Sequence, residues 1–197
     1  MVHHATPSRV ERTDEQGYTL IEIMIVLLLI GLISSMAVPV SSYFLQQSKA
    51  DSASVFASTA VDSARDVAVA QRRNVLLTFV MPNKLRVERQ DINAVGVVTG
   101  TTVLSTYTLE AGQEFKLFPG QIDTPDGFGA ATATQFSGTG PYMFTSEGSL
   151  VDSNGDISNG TIFMAIPNQP ETARAVTVFG VTGLTRTWKW RGQKWME

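Results

Sequence analysis

One stretch constrains this chain more than any other: between Tyr18 and Val40 the sequence is apolar, and Glu22 is its only formally charged side chain. At about 1.5 Å rise per residue, a helix of this length matches a hydrocarbon core roughly 30 Å thick, so it can span a membrane. A carboxylate deep in such a core costs on the order of 2.5–3.5 kcal/mol, so Glu22 must sit shallow or find a partner. Cleavage after Gly17 would supply one, a new amine on Tyr18, which Glu22 of a neighbouring copy could face in a packed assembly. Pro39, inside the run, removes a backbone donor and clashes with the preceding turn, which predicts a kink.

The segment Gly17-Tyr18-Thr19-Leu20-Ile21-Glu22, followed by an apolar helix carrying Gly31 and Pro39, resembles the class III signal of type IV prepilins and type II secretion pseudopilins. The resemblance implies that a prepilin peptidase of the inner membrane cuts after Gly17 and methylates the amine of Tyr18. It also implies that Glu22 makes an intersubunit contact and that the apolar helix becomes a filament core. Tyr18 stands where the family usually has Phe, which keeps an aromatic ring. Two other readings compete. A secretory signal peptide cut after Ser35-Met36-Ala37 would leave Val38 first, but Glu22 heads the apolar region and a basic n-region is missing. A plain anchor would keep Met1, yet would not require Gly before an aromatic and Glu four residues on.

Residues 1–17 are polar, with Arg9 and Arg12 set against Glu11, Asp14 and Glu15, and read as a disordered leader peptide. The leader is longer and less basic than many in the family, so the true start codon is open. The two arginines favour a cytoplasmic N-terminus. His3 and His4 are the only histidines in the chain, and an adjacent pair in such a leader reads as incidental.

The 197 residues, 43% of them hydrophobic, suffice for one membrane helix and one domain with a real core. Net charge is −3 and pI about 5.4, which excludes a broad basic field for nucleic acid but not a local patch. The absence of cysteine removes disulfides, thiol nucleophiles and thiolate metal sites. A mature chain without His or Cys lacks the usual general base near neutral pH. The expectation is a protein that is not an enzyme and needs no cofactor.

After Pro39 the helix is expected to continue, because Phe44 to Arg73 contains neither Gly nor Pro. On a 100° wheel Ala53, Phe56, Ala57, Ala60, Val61, Ala64, Val67 and Ala68 share one face, with Asp51, Asp62, Asp66 and Arg73 opposite. From Asn74 the period changes to that of strands: 75–80, 85–89, 95–98, 101–109, 114–118, 142–145, 161–166, 175–181 and 185–191. Pro119-Gly120, Pro125-Asp126-Gly127 and Ser137 to Pro141 are turn chemistry between them. The expected class is α+β and pilin-like: a long kinked N-terminal helix, its first half transmembrane, packed on an antiparallel sheet. The boundaries are 1–17 leader, 18–40 membrane and filament-core helix, 41–73 amphipathic half and 74–197 periplasmic β-rich domain.

Phe144-Thr145-Ser146-Glu147-Gly148, Gly160 to Phe163, Ala175 to Val178 and Gly183-Leu184-Thr185-Arg186 are similar in order and spacing to the C-terminal half of GspH/FimT minor pseudopilins. That family often ends in Gly-Arg-x-Arg. Here Gly183 and Arg186 are kept and Leu184 replaces the first arginine. Some FimT-type minor pilins bind DNA in natural transformation, so the resemblance permits a nucleic-acid partner. Arg186, Trp188, Lys189, Trp190 and Arg191 are the candidates, because rings stack bases beside cations. Alternation puts Arg186, Trp188 and Trp190 on one face and Lys189 and Arg191 on the other, so the tryptophans can instead cover the sheet. Asp152, Asn154 and Asp156 carry oxygens at alternate positions, as in a calcium loop, but Gly and Glu are absent from the sixth and twelfth positions. Asn154-Gly155 is itself a hairpin signal.

Together these features imply a minor pilin or pseudopilin, a structural subunit of a type II secretion pseudopilus or a type IV pilus. It would sit in the inner membrane with its domain in the periplasm, and its partners would be the prepilin peptidase and other pilins. The alternatives are a DNA-binding FimT-like minor pilin and an unprocessed anchored domain.

Overall fold

The structure, a computed structural model, describes residues 17–109 and 112–197, and the side chains of 36–43 lie outside that description. Most of the expected leader and the kink at Pro39 therefore fall outside the described residues. The chain divides into two compact units, one ending at Tyr43 and the other Phe44–Glu197.

One helix, α1, runs Leu20–Gln71. Thr19 caps it, its Oγ1 accepting the Glu22 N–H at 3.3 Å, and Thr19-x-x-Glu22 is the sequence form of a capping box. The helix ends in a Schellman arrangement: Arg73 N–H reaches the Ala68 carbonyl at 3.2 Å and Arg72 N–H the Val69 carbonyl at 3.4 Å. Arg72 holds φ 51° there, a left-handed conformation that costs a side-chain-bearing residue about 1–2 kcal/mol. Arg72→Gly is therefore expected to raise stability by about 0.5–1 kcal/mol once the looser unfolded chain is counted. A denaturant melt reads this directly, and a destabilised variant would contradict it.

In the second unit α1 buries Ala50, Ala53, Ala57, Ala60, Val61, Ala64 and Ala68, the i, i+3, i+4 face expected from the wheel. Alanine lets the helix lie flush on what it covers. Phe56 is 38% exposed, outside the core face assigned to it, with its ring edge-on to Tyr107 at 5.4 Å.

Among the described residues there follow a 3-10 turn at Pro170–Thr172 and eleven strands, all paired antiparallel: β1 Val75–Val80, β2 Lys84–Ile92, β3 Val98–Thr108, β4 Glu114–Phe115, β5 Thr134–Phe136, β6 Tyr142–Phe144, β7 Leu150–Val151, β8 Gly160–Ala165, β9 Arg174–Val178, β10 Thr185–Trp190 and β11 Trp195–Met196. They form two sheets rather than the single expected one, ordered β3-β2-β1-β6-β7 and β11-β10-β9-β8-β4, with β5 also on β8. The α+β class with a helix packed on antiparallel strands stands.

Two cores result. Helix alanines, Val75, Leu77, Phe144, Leu150, Ile162, Met164, Val176 and Val178 make the first. Phe163, Ala165, Ala175, Trp188, Trp190 and Trp195 make the second, on the far face of the second sheet. β8 is buried at every residue because its alternating side chains feed both cores.

Three strand expectations change. Residues 95–97 turn rather than extend, because Asn93 Oδ1 accepts the N–H groups of Val95 and Val97 at 3.1 and 2.9 Å. The strand expected over 114–118 stops at Phe115, where Phe118 N–H goes to Gln121 Oε1 at 3.0 Å. The strand from residue 175 ends at Val178, and β5, β7 and β11 were not expected.

Candidate functional site

Gly17, Tyr18 and Thr19 precede the helix in exposed chain, so the Gly17–Tyr18 bond lies outside the helix and one residue short of the cap. Removing everything before Tyr18 would leave that cap intact. Glu22 is exposed in the first helical turn, where the helix dipole favours a negative charge.

Every described side chain from Tyr18 to Ser35 is exposed, including Leu20, Ile21, Ile23 to Ile30, Leu32 and Ile33. Leaving these in water forgoes on the order of 15 kcal/mol, comparable with the whole net stability of a domain. Such a helix requires apolar surroundings. Among the described residues no helix is long and apolar enough to cross a membrane. The expected span, 18–40, continues past Ser35 into side chains outside the description.

The basic and aromatic C-terminus is placed as its alternation implied. Trp188, Trp190 and Trp195 are 5–7% exposed, covered from outside by Leu117, Phe118 and Ala130. Trp195 Nε1 donates to the Ile122 carbonyl at 2.8 Å. Asp126, in a segment read only as a turn, ties this cover down. It accepts from Arg186 Nη1 at 2.7 Å, Thr177 Oγ1 at 2.6 Å and Trp188 Nε1 at 3.2 Å. Arg186 also lies over the Phe179 and Trp188 rings. The two tryptophan faces proposed for stacking bases are thus inside the domain, and the Arg186 guanidinium is paired. Lys189 points to the opposite face, toward Asp51 at 3.4 Å, and Arg191 is exposed. Gly183 holds φ 66° in the β9–β10 turn, and a Cβ there would run into the Gly148 carbonyl. Leu184, at the position of the missing arginine, is exposed.

The Asp152 loop is closed by its own backbone. Asp152 accepts the N–H groups of Thr139, Asn154 and Asp156 at 3.2, 2.8 and 3.0 Å, and Asn154 Nδ2 at 3.3 Å. Desolvation opposes its charge, yet these donors outweigh it and hold the carboxyl below its ordinary range. Among the described residues no three acidic or histidine side chains gather about a metal position.

The sequence reading missed the polar clasp between helix and second sheet. Arg174, 1% exposed, sends Nε to Asp51 at 2.7 Å, Nη2 to Gln47 Oε1 at 2.8 Å and Nη1 to the Ala173 carbonyl at 2.9 Å. Gln47 Nε2 donates to the Glu171 carbonyl at 3.2 Å. Further along, Thr185 Oγ1 donates to Asp62 at 3.2 Å. Desolvation raises the Asp62 carboxyl, Thr185 opposes this, Asp66 adds to it and Arg65 opposes it. The folded state therefore holds the Asp62 proton more tightly than the unfolded chain. Stability drops as pH rises from 3.8 through the raised value and stays lower above it. Asp62→Asn is expected to melt slightly higher than the parent at neutral pH, with the gap closing below pH 3.8. A gap that widens in acid would contradict this.

The family described as the prokaryotic N-terminal methylation motif matches residues 12–38. No curated protein matches the chain. Among solved structures it is similar to the type IV minor pilin FimU of Pseudomonas aeruginosa. In one crystal form the TM-score is 0.43 at 15% identity, covering 81% of this chain and 98% of that one. In a second form the values are 0.41, 15%, 77% and 97%. The chain carries a prokaryotic N-terminal methylation motif, and the matched span encloses Gly17, Tyr18 and Glu22.

Proposed function

We propose that this chain is a minor pilin or pseudopilin: cut after Gly17, methylated on Tyr18, held in the inner membrane by its apolar helix and built into a periplasmic filament. The methylation motif at residues 12–38 carries the reading. The exposed junction before the Thr19 cap and the uncovered apolar helix support it. The mechanism is assembly. Helices from neighbouring subunits would cover the side chains from Leu20 to Ile33, and Glu22 would meet the Tyr18 amine of the next subunit. The second unit would then be presented outside that packed core. A type II secretion pseudopilus and a type IV pilus both accommodate this subunit.

Fractionation of cells tests the reading. The protein is expected in the inner membrane and in the sheared filament pool, and only in the membrane when the prepilin peptidase is deleted. Recovery in the soluble fraction, or a filament pool unaffected by the deletion, would contradict it.

A further inference from the structure

The edge of the first sheet is open. β3, the longest strand, pairs with β2, and among the described residues no strand lies on its other side. Natural edge strands are blunted by charge, proline, shortness or bulges. Val98–Thr108, Val-Thr-Gly-Thr-Thr-Val-Leu-Ser-Thr-Tyr-Thr, has neither charge nor proline.

Two register shifts interrupt its pairing with β2. Val87 faces Ser105 while Glu88 faces Val103, and Asp91 faces Gly100 while Ile92 faces Val98. The extra residues are Leu104 and Thr99. These bulges bracket Gly100–Val103 without covering it. At the far end Tyr107 meets Phe56 of the helix and Leu104 packs on the core, so that end is occupied. The near end extends beyond β1, whose pairing with β2 stops at Val75 against Arg89. Ile92, Val95, Val97 and Val98 are exposed there, as is Val103.

Charge chooses the occupant. The carboxylates beside this edge are already engaged: Glu88 by Arg86 at 3.2 Å and Thr101 Oγ1 at 3.4 Å, Asp91 by Arg89 at 3.0 Å and Thr102 Oγ1 at 2.5 Å. The edge thus offers a bare row of backbone groups with Val, Thr and Gly side chains, and no like charges meet when it faces itself. Thr–Thr and β-branched cross-strand pairs are favourable, at roughly 0.2–1 kcal/mol each.

We propose that Thr101–Val103 of β3 pairs antiparallel with the same segment of a second copy of this chain, joining two five-stranded sheets edge to edge. Thr102 then lies opposite Thr102 of the other copy, and Thr101, whose backbone faces outward because its β2 partner Gln90 bonds to Asn74 instead, exchanges hydrogen bonds with Val103. The proposal stands on the second unit alone and does not depend on the membrane or filament reading.

The native chain has no cysteine, so an introduced thiol reports one place. Full-length Thr102→Cys in native membranes, treated with a short bismaleimide, should give a product of twice the chain mass. Val181→Cys, at an exposed site on another part of the domain, should give none. Adding Val103→Lys to Thr102→Cys should lower the dimer yield at least tenfold, because it sets two ammonium groups across the seam. An unchanged melting temperature for that variant separates this loss from unfolding. Monomer alone, a product whose mass shows a different polypeptide, equal yield at Val181, or a dimer indifferent to Val103→Lys would each overturn the proposal.

Discussion

Glu22→Ala is expected to leave cleavage after Gly17 and the fold of the second unit unchanged, while lowering incorporation into filaments by roughly ten- to a hundredfold. The magnitude follows from about 1.5–3 kcal/mol for a contact between charged groups. The direction separates two roles for the carboxylate. Removing it from an apolar helix favours the membrane by on the order of 2.5–3.5 kcal/mol at depth, so the variant should accumulate there as it disappears from sheared filaments. Glu22→Gln, which keeps the shape and loses the charge, should lie between. Parental incorporation of the alanine variant would remove Glu22 as the intersubunit contact, since its backbone role at the Thr19 cap survives the substitution.

The second large effect concerns the clasp at Arg174. Asp51→Ala leaves a buried guanidinium with Gln47 and backbone carbonyls as its remaining partners. Breaking a buried pair from one side costs about 3–5 kcal/mol, and the 53% exposure of the Asp51 side chain places the expected loss near the lower end, about 3 kcal/mol. Arg174→Met fills the same space without a charge and should cost about 1 kcal/mol or less. Asp51, open to solvent and beside Lys189, tolerates the loss. With Arg174→Met already present, Asp51→Ala should add little, which makes the coupling measurable in a double-mutant cycle. Denaturant unfolding in detergent reads all four proteins. A milder loss for Asp51→Ala than for Arg174→Met would reverse the account.

Local features were legible in the sequence because they depend on near neighbours. The alanine face of the helix, the change of period at Asn74, and the alternation that sends Trp188 and Trp190 one way and Lys189 the other all follow from spacing alone. Gly17, Tyr18 and Glu22 were singled out by resemblance to a short motif, and the matched methylation motif spans the same stretch. What stayed hidden depends on distance along the chain. Asp51 and Arg174 lie 123 residues apart, so a helical wheel could assign Asp51 only to the wet face. It sits at the border of that face and turns back to the sheet. The split into two sheets was hidden because alternation tells which way a side chain points and not which strand lies alongside. Its trace in the sequence is the unbroken apolar run Ile162 to Ala165 of β8, a strand covered on both faces, as is β9.

Other misses have side-chain causes. The valines at 95 and 97 read as a strand by composition, but Asn93 closes the backbone on itself first. β7 and β11 are two residues each, too short for alternation to register. Asp126 was legible only as part of Pro125-Asp126-Gly127. Its work on Arg186, Thr177 and Trp188 appears once the segment has folded over the tryptophans. Asp152 illustrates the opposite case: its carboxylate, the first of the oxygens spaced as in a cation loop, turns inward to amide hydrogens.

The central claim is that the apolar helix begins with a freed, methylated amine. Intact-mass and N-terminal peptide analysis of the protein from native membranes tests it most directly. The account predicts a chain that starts at N-methylated Tyr18 and has lost all seventeen residues before it. A chain that still carries Met1, or one that begins at Val38, would contradict it.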